Sequence, residues 1–227
     1  LNYKKNQPSG FSEKKYWLLE NIVNYELEFG KIHSLKFTAM YGAEKSDYLF
    51  NKLTGTGFIT DGMGYYGLAT GNSVIPQTNS ADESLVSTLG RINYKLRNRY
   101  LLTATIRRDG SSKLGKNNRY GYFPSFAMGW VLSQEDFIKR IEAIDFLKFR
   151  FSYGKNGYNG IPPYRTQNAM YVRTYEYPNG YEVSSIFSSM SQPNNYPAEL
   201  QNEELKWEST VSANYGIDFT LFNERFS

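Results

Sequence analysis

The amino-acid sequence predicts an all-β fold of about seven antiparallel strands, and three observations lead to that prediction. Apolar and polar residues alternate over long stretches, which is typical of strands whose two faces meet different environments. Several of these stretches run for ten residues or more, whereas strands of globular proteins usually have about 5–6. The connections between the stretches alternate between short and long along the chain.

The first two stretches predict a hairpin. Residues 17–29 place large apolar side chains on one face, and the opposite face carries mostly Glu and Asn. After the short turn that starts at Gly30, residues 35–44 alternate in the same way. A connection of this length is typical of two antiparallel neighbours.

The next three strands are predicted over residues 86–94, 100–107 and 122–132. A tight polar turn separates the first two, and a loop rich in Gly, Ser and Asn precedes the third. Residues 133–140 follow, with a capping pattern that predicts one or two helical turns. Within it, Glu135 and Asp136 are interpreted as acidic residues of the first helical turn.

The remaining strands are predicted over residues 147–154 and 207–221, and an eighth is expected to begin at 225–227. Two stretches without sustained alternation, about 46–83 and 155–204, are predicted to be long loops. Both are long for loops in a compact domain, which indicates a functional role or a missed strand.

Composition excludes several classes of protein. The chain has 227 residues, no Cys and one His, so disulfide frameworks, thiolate zinc sites and cysteine nucleophiles are ruled out. The basic excess of +4 is spread along the chain, and this argues against a nucleic-acid partner. The aromatic content of 17% is high for a chain with a mean hydropathy of −0.57, and amphipathic rings favour sites with one apolar and one wet side.

Strand length, loop asymmetry and aromatic residues near strand ends together favour a transmembrane β-barrel over a soluble sandwich. A tilted strand of about 9–11 residues crosses a bilayer. Outer-membrane barrels have short turns at one end, long loops at the other and two aromatic girdles. Because single-chain bacterial barrels have an even number of strands, seven strands are expected to be part of a larger barrel.

Several motifs carry a family likeness. The most specific is the run from Arg99 to Lys113, which reads RYLLTATIRRDGSSK. The others are Gly90–Tyr94, Gly121–Ser125, Gly129-Trp130, Leu147–Arg150, Tyr153–Gly157, Leu205–Glu208 and Gly216–Phe219. With these motifs, most of the chain outside the two long loops resembles the barrel of SusC/RagA-type TonB-linked outer membrane proteins.

The resemblance implies a segment of a 22-stranded barrel in a Bacteroidetes-type outer membrane. Such proteins import oligosaccharides or peptides, driven through TonB, beneath a SusD-like surface lipoprotein. They also contain a plug domain, and neither a plug nor a TonB-contacting segment is recognised within residues 1–227. The resemblance therefore implies a transporter and no enzyme or cofactor, and energy coupling is assigned to no residue here.

Polar residues on the predicted strands are candidates for the lumen. If the polar face lines the barrel, it presents Arg91, Asn93, Arg107, Asp109, Lys148 and Arg150 to the interior. These residues would contact cargo or plug. The alternative for Arg107 and Asp109, which is favoured, is a strand end followed by an Asp-Gly turn with local hydrogen bonds.

Tyrosines outside the predicted strands are the candidate ligand-binding residues. They are Tyr65, Tyr66, Tyr158, Tyr164 and Tyr171. Their rings can stack on a sugar while the hydroxyl groups form hydrogen bonds. An equally supported interpretation is that they pack the long loops against one another or against a partner.

No catalytic or metal site is predicted. His33 lies beside a turn without a metal-ligand pattern, and nothing places two carboxylates together for glycoside hydrolysis. The alternative function from another class is a soluble all-β carbohydrate-binding module that uses its exposed tyrosines.

Overall fold

A computed structural model describes residues 7–58, 64–167, 170–176, 182–188 and 201–222. Within these ranges the chain forms nine strands, β1 (Gln7–Phe29), β2 (His33–Thr56), β3 (Ser73–Leu96), β4 (Tyr100–Ser111), β5 (Tyr120–Val131), β6 (Ile144–Tyr158), β7 (Met170–Glu176), β8 (Glu182–Ser188) and β9 (Glu208–Leu221). Two 3₁₀ helices, Gly64–Thr70 and Leu132–Gln134, are the only helices in these ranges, and neither is long and apolar enough to cross a membrane. The all-β prediction is confirmed.

Seven strands form one antiparallel sheet in the order β1-β2-β3-β4-β5-β6-β9. Each strand up to β6 lies beside its neighbour in sequence, and β9 pairs with β6. Side-chain hydrogen bonds from Lys36 to Glu26 and from Thr38 to Asn24 show the antiparallel register of β1 and β2, because one number rises as the other falls. The predicted eighth strand at 225–227 lies outside the described residues.

Short turns connect the strands at one end of the sheet. Gly30 and Lys31 adopt left-handed backbone conformations, with φ of 59° and 55°, in the turn between β1 and β2. Arg97 and Asn98 do the same, at 51° and 54°, between β3 and β4. Successive left-handed residues twist a tight connection to match the strands that it joins.

The chain divides into two compact units. The first comprises residues up to 18 and 44–84, and the second comprises 19–43 and 85 onward, so that β1, β2 and β3 contribute to both. In the first unit the buried Phe58 ring packs against Leu68 and against glycines 55 and 71, where a Cβ would meet the ring. Tyr16 donates a hydrogen bond to Glu44 in the same unit.

In the second unit the sheet has one apolar and one polar face. The apolar face carries Ile92, Ile106, Phe126, Tyr215 and Ile217, which all remain exposed. Exposure reaches 74% at Tyr215 and 64% at Ile217. Exposed apolar areas that extend over several strands mark contact with a membrane or with another protein.

The two long loops were predicted with wrong bounds. The segment 46–83 is mostly strand, because β2 continues to Thr56 and β3 already begins at Ser73. The segment 155–204 contains the end of β6 and the antiparallel hairpin of β7 and β8. Alternation shows a strand only where its two faces differ in polarity. The extension of β2 has apolar residues on both faces, with Leu49 on one and Phe50 on the other, and both faces also carry polar residues.

Candidate functional site: the polar face of the sheet

The strand register brings the six polar residues named from the sequence onto one face. Arg91 of β3 pairs with Thr105 and Asn93 pairs with Thr103. Both therefore lie on the same face of the sheet as Arg107 and Asp109 of β4. The face continues through β5 to β6, where Gly129 pairs with Arg150. Its six predicted members are Arg91, Asn93, Arg107, Asp109, Lys148 and Arg150. We call this surface the polar face.

A compact ion pair lies at the far end of β4. The Nε of Arg107 donates to both carboxylate oxygens of Asp109, at 2.7 and 2.8 Å. The Nη2 of Arg107 donates to the Oγ of Ser87 on β3, at 3.2 Å. Asp109 and Ser87 are both buried. Asp109 does form local side-chain hydrogen bonds, but the predicted Asp-Gly turn is wrong, because Asp109 and Gly110 lie within β4 and pair with Gly121 and Tyr120 of β5.

The loop after β4 is held down by the segment 201–207. Gly115 donates its backbone N–H to the carbonyl of Leu205, and the side chain of Asn118 donates to Glu204. The indole N–H of Trp207 donates to the carbonyl of Arg119 at 2.9 Å. The hydrogen bonds of Asn118 and Trp207 join the loop after β4 to a segment that lies 86 to 88 residues later in the sequence.

Phe123 and Trp207 form an aromatic pair that packs against two glycines, Gly121 and Gly157. Phe123 is buried and packs edge-on against Trp207, with ring centroids 5.3 Å apart. A Cβ at Gly157 would overlap the Phe123 ring, and a Cβ at Gly121 would meet the rings of both Phe123 and Trp207. Glycine inside a strand commonly marks such close approach.

A second ion pair joins β6 and β9. Arg150 Nη2 donates to Asp218 Oδ1 at 2.8 Å, and both side chains are partly exposed. A shallow groove of about 310 Å³ beside them is lined by Thr103, Lys148, Arg150, Ser152 and Asn214, among others. Hydroxyl, amide and cationic groups therefore converge where a polar ligand can reach them.

Elsewhere on the polar face, neighbouring strands are linked by side-chain hydrogen bonds. Asn93 accepts from Thr103 at 2.9 Å, and Arg91 donates to Thr105 at 3.2 Å. Because cross-strand pairs stabilise a sheet locally, most of these residues act first on the sheet itself. In the described residues, no group of three His, Cys, Asp or Glu is arranged to hold a metal ion.

The structure places the predicted ligand tyrosines in different settings. Tyr66 belongs to the 3₁₀ helix Gly64–Thr70 and is 84% exposed, whereas Tyr158 is the last residue of β6 and is 64% exposed. Tyr164 has a left-handed backbone (φ 67°) and is 40% exposed. Tyr65 lies in the same helix as Tyr66, and Tyr171 lies on β7 rather than in a loop; their side chains lie outside the described part of the chain.

At the end with the short turns, the Glu135 carboxylate binds three side chains. Tyr100 donates its hydroxyl to Oε1 at 2.7 Å, Trp130 donates its indole N–H to Oε1 at 3.1 Å, and Arg99 donates to Oε2 at 3.2 Å. The Tyr100 hydrogen bond, then that of Trp130, hold the pKa of Glu135 below its ordinary value of 4.5.

The helical turns predicted over residues 133–140 are found as the 3₁₀ helix Leu132–Gln134 and a following turn, in which the Glu135 carbonyl accepts from the N–H groups of Ile138 and Lys139. Glu135 thus begins that turn, but its carboxylate binds side chains from other parts of the chain. Sequence reasoning also left Asp218 out of the polar cluster. Its place on the polar side of the last predicted strand was visible, but its pairing with Arg150 depends on the register of β6 and β9.

The curated proteins most similar in sequence to this chain include several TonB-dependent receptors. The chain is 32% identical to TonB-dependent receptor P3 of Formosa agariphila over 92% of its residues, which cover 20% of that protein. It is 41% identical to TonB-dependent receptor SusC of Bacteroides thetaiotaomicron over 63% of its residues, 14% of that protein. The chain thus spans about a fifth or less of the relatives' length. No family model matches the sequence.

Solved structures show the same fold. The RagAB peptide importer in the closed-closed state aligns with 96% of this chain at a TM-score of 0.74 and 24% identity, over 23% of its own chain. The RagAB peptide transporter aligns with 97% at a TM-score of 0.75 and 23% identity, again over 23% of its chain. The proteins found by both comparisons are named as receptors, transporters and importers, not as enzymes.

Proposed function

Because this chain is a segment of the β-barrel of a SusC/RagA-type TonB-dependent receptor, we propose that it forms part of the wall of an outer-membrane importer of oligosaccharides or peptides. The apolar face contacts membrane lipid, and the polar face lines the lumen. Import is driven through TonB, which acts on parts of the protein beyond residues 1–227.

The observation that carries this proposal is the separation of the two faces. From β3 to β9, polar pairs such as Arg150–Asp218 lie on one face, while Tyr215 and Ile217 lie exposed on the other. In outer-membrane barrels, strands alternate between apolar residues that face lipid and polar residues that face the lumen. A soluble module would instead cover such an apolar face with a second layer.

The names of the relatives support TonB-dependent import and, for the solved structures, a peptide as cargo. One is SusC, and the solved structures are of RagAB, a peptide importer. A SusD-like lipoprotein above the loops, and an oligosaccharide or peptide as cargo, are the corresponding partners for this chain.

Two exposed tyrosines, Tyr66 and Tyr158, and the groove beside Arg150 are the cargo-contacting groups under this proposal. Tyr66 and Tyr158 present rings that are 84% and 64% exposed, which allows stacking on a sugar or on a peptide side chain. Lys148, Arg150 and Asn214 add hydrogen-bonding groups at the groove. Replacing Tyr66 or Tyr158 by Ala is expected to lower uptake of labelled cargo, with Tyr153→Ala, a half-exposed tyrosine on the apolar face, as the control.

The test of the membrane orientation uses single spin labels on β9 of the intact protein in lipid vesicles. Positions 215 and 217 lie on the apolar face, and positions 214 and 218 lie on the polar face. Labels at 215 and 217 are expected to collide with oxygen dissolved in lipid. Labels at 214 and 218 are expected to collide with a water-soluble nickel complex. Water contact at all four positions would overturn the proposal and favour a soluble glycan-binding module.

A further inference from the structure

One end of the apolar face combines a cation with aromatic rings. Arg108 of β4 points to the apolar face, and its guanidinium lies 3.8 Å from the centre of the Tyr120 ring and 6.0 Å from that of Tyr122. Both tyrosines are more than half exposed. Among the described residues, no carboxylate forms an ion pair with Arg108, so its charge is offset only by the faces of two rings.

Two further cations share a hollow with the same tyrosines. Lys155 and Lys206 border a hollow of about 290 Å³ that Tyr120 and Tyr122 also line. No ion pair is seen for either lysine among the described residues, and Glu204 of the same segment accepts a hydrogen bond from Asn118. This rim therefore offers positive charge and N–H donors to an anion.

An apolar groove lies on the same face close to Arg108. It measures about 450 Å³ and is lined by Val23, Phe37, Ala39, Gly90, Ala104 and Ile106, among others. Ile106 is two residues from Arg108 on the same face of β4, a distance of about 7 Å along a strand. The small side chains at positions 39, 90 and 104 leave the space that larger residues would fill.

From this juxtaposition we infer a binding site for one anionic, phosphate-bearing lipid of the outer membrane. Its phosphate binds Arg108 and the lysine rim, and one acyl chain lies in the Gly90 groove. A cation next to an apolar groove matches a molecule with a charged head and an apolar tail. The inference rests on the proposed function, because it needs the apolar face to contact lipid.

Native mass spectrometry of the intact protein in detergent tests the site. The probes are dioleoylphosphatidylglycerol, which is anionic, and dioleoylphosphatidylcholine, which has the same acyl chains and no net charge. Wild-type protein is expected to retain phosphatidylglycerol about tenfold better than phosphatidylcholine, because a hydrogen bond to a charged group contributes about that much. Arg108→Gln should abolish that preference. Lys139→Gln, which changes a partly exposed cation at the short-turn end, should leave it unchanged.

The groove is tested with Gly90→Leu. A Cβ at Gly90 would lie 3.9 Å from Ile106 Cγ2, so the backbone accepts a side chain and the leucine fills the groove. This variant should weaken retention of both lipids. If it does not fold, Ala104→Val, which narrows the same groove, takes its place and should have the same effect. Equal retention of both lipids by the wild type, or equal effects of Arg108→Gln and Lys139→Gln, would overturn the inference. If the inference fails in this way but spin labels at positions 215 and 217 of β9 still contact lipid, the proposed function stands.

Discussion

Arg107 and Asp109 form an ion pair within a single strand, with the guanidinium Nε at 2.7 and 2.8 Å from the two carboxylate oxygens. Residues two apart on a strand point to the same face, which allows the arginine to fold back along β4. The Asp109 side chain is only 9% exposed, whereas that of Arg107 is 43% exposed. The pair thus neutralises a buried carboxylate on the polar face and leaves part of the guanidinium accessible.

Replacing Asp109 by Asn is expected to lower the stability of the intact protein by about 1–2 kcal/mol. This is the lower range for a hydrogen bond to a charged group, because solvent screens the half-exposed Arg107. Thermal unfolding in detergent measures the effect. Ser87→Ala removes only the longer contact to Arg107 and should lower the stability less than Asp109→Asn does. A larger loss of stability from Ser87→Ala would contradict the assignment of Asp109 as the main partner of Arg107.

Gly157→Ala is expected to destabilise the protein by about 1–3 kcal/mol, the usual cost of overpacking. The added Cβ would overlap the buried Phe123 ring, which is also held by Trp207. Gly90→Ala is the matched control, because its Cβ would have 3.9 Å of space and should be nearly neutral.

Adding Phe123→Leu to Gly157→Ala should recover part of the loss. A double-mutant cycle measured by thermal unfolding gives the coupling between the two sites. Strict additivity of the two substitutions would show that the Phe123 ring does not lie on Gly157.

Glu135 makes stability depend on pH at the short-turn end. Its pKa is lowered in the folded state by the hydrogen bonds from Tyr100 and Trp130, so the carboxylate stabilises the fold above its ordinary pKa of 4.5. That contribution is lost as the pH falls through the lower, folded value.

Glu135→Gln should therefore reduce the dependence of the unfolding midpoint on pH below 4.5, the ordinary pKa of this carboxyl. Asp136→Asn is the control, since its side chain is 85% exposed and its nearest cation, Lys139, is 3.8 Å away. The prediction is wrong if both variants follow the wild-type pH profile.

The register of β6 and β9 can be tested with engineered disulfides, since the chain has no cysteine of its own. Ser152 and Asn214 are direct partners, and Cβ atoms of such partners lie about 4.5–5.5 Å apart. Cysteines at 152 and 214 should cross-link under mild oxidation, as read by peptide mass spectrometry.

Cysteines at 152 and 218 are the control, because position 218 pairs with Lys148, four residues away along β6. Four residues span about 13 Å along a strand, beyond the reach of a disulfide. Efficient cross-linking of 152 with 218 and not with 214 would contradict the register.

The sequence by itself determined the strands of the two-faced part of the sheet and the identity of each face. Residues such as Ile217 and Asp218 alternate in polarity because one side of β9 is apolar and the other is polar. This alternation can be seen directly in the sequence. The same signal placed Arg91, Asn93, Arg107, Asp109, Lys148 and Arg150 on one side. The tight turns at Gly30 and after Leu96 were also visible, because short polar connections force neighbouring strands together.

Only the tertiary structure decided how far the strands extend and which distant side chains meet. β2 continues to Thr56 because backbone hydrogen bonds to its neighbours need no alternation of side chains. Arg150 meets Asp218, and Tyr100 meets Glu135, across 68 and 35 residues of sequence. Such contacts depend on strand register, and a shift of one residue would turn every side chain to the opposite face. The alternation in each strand is the same whichever partner it has, so register is settled only when neighbouring strands pair.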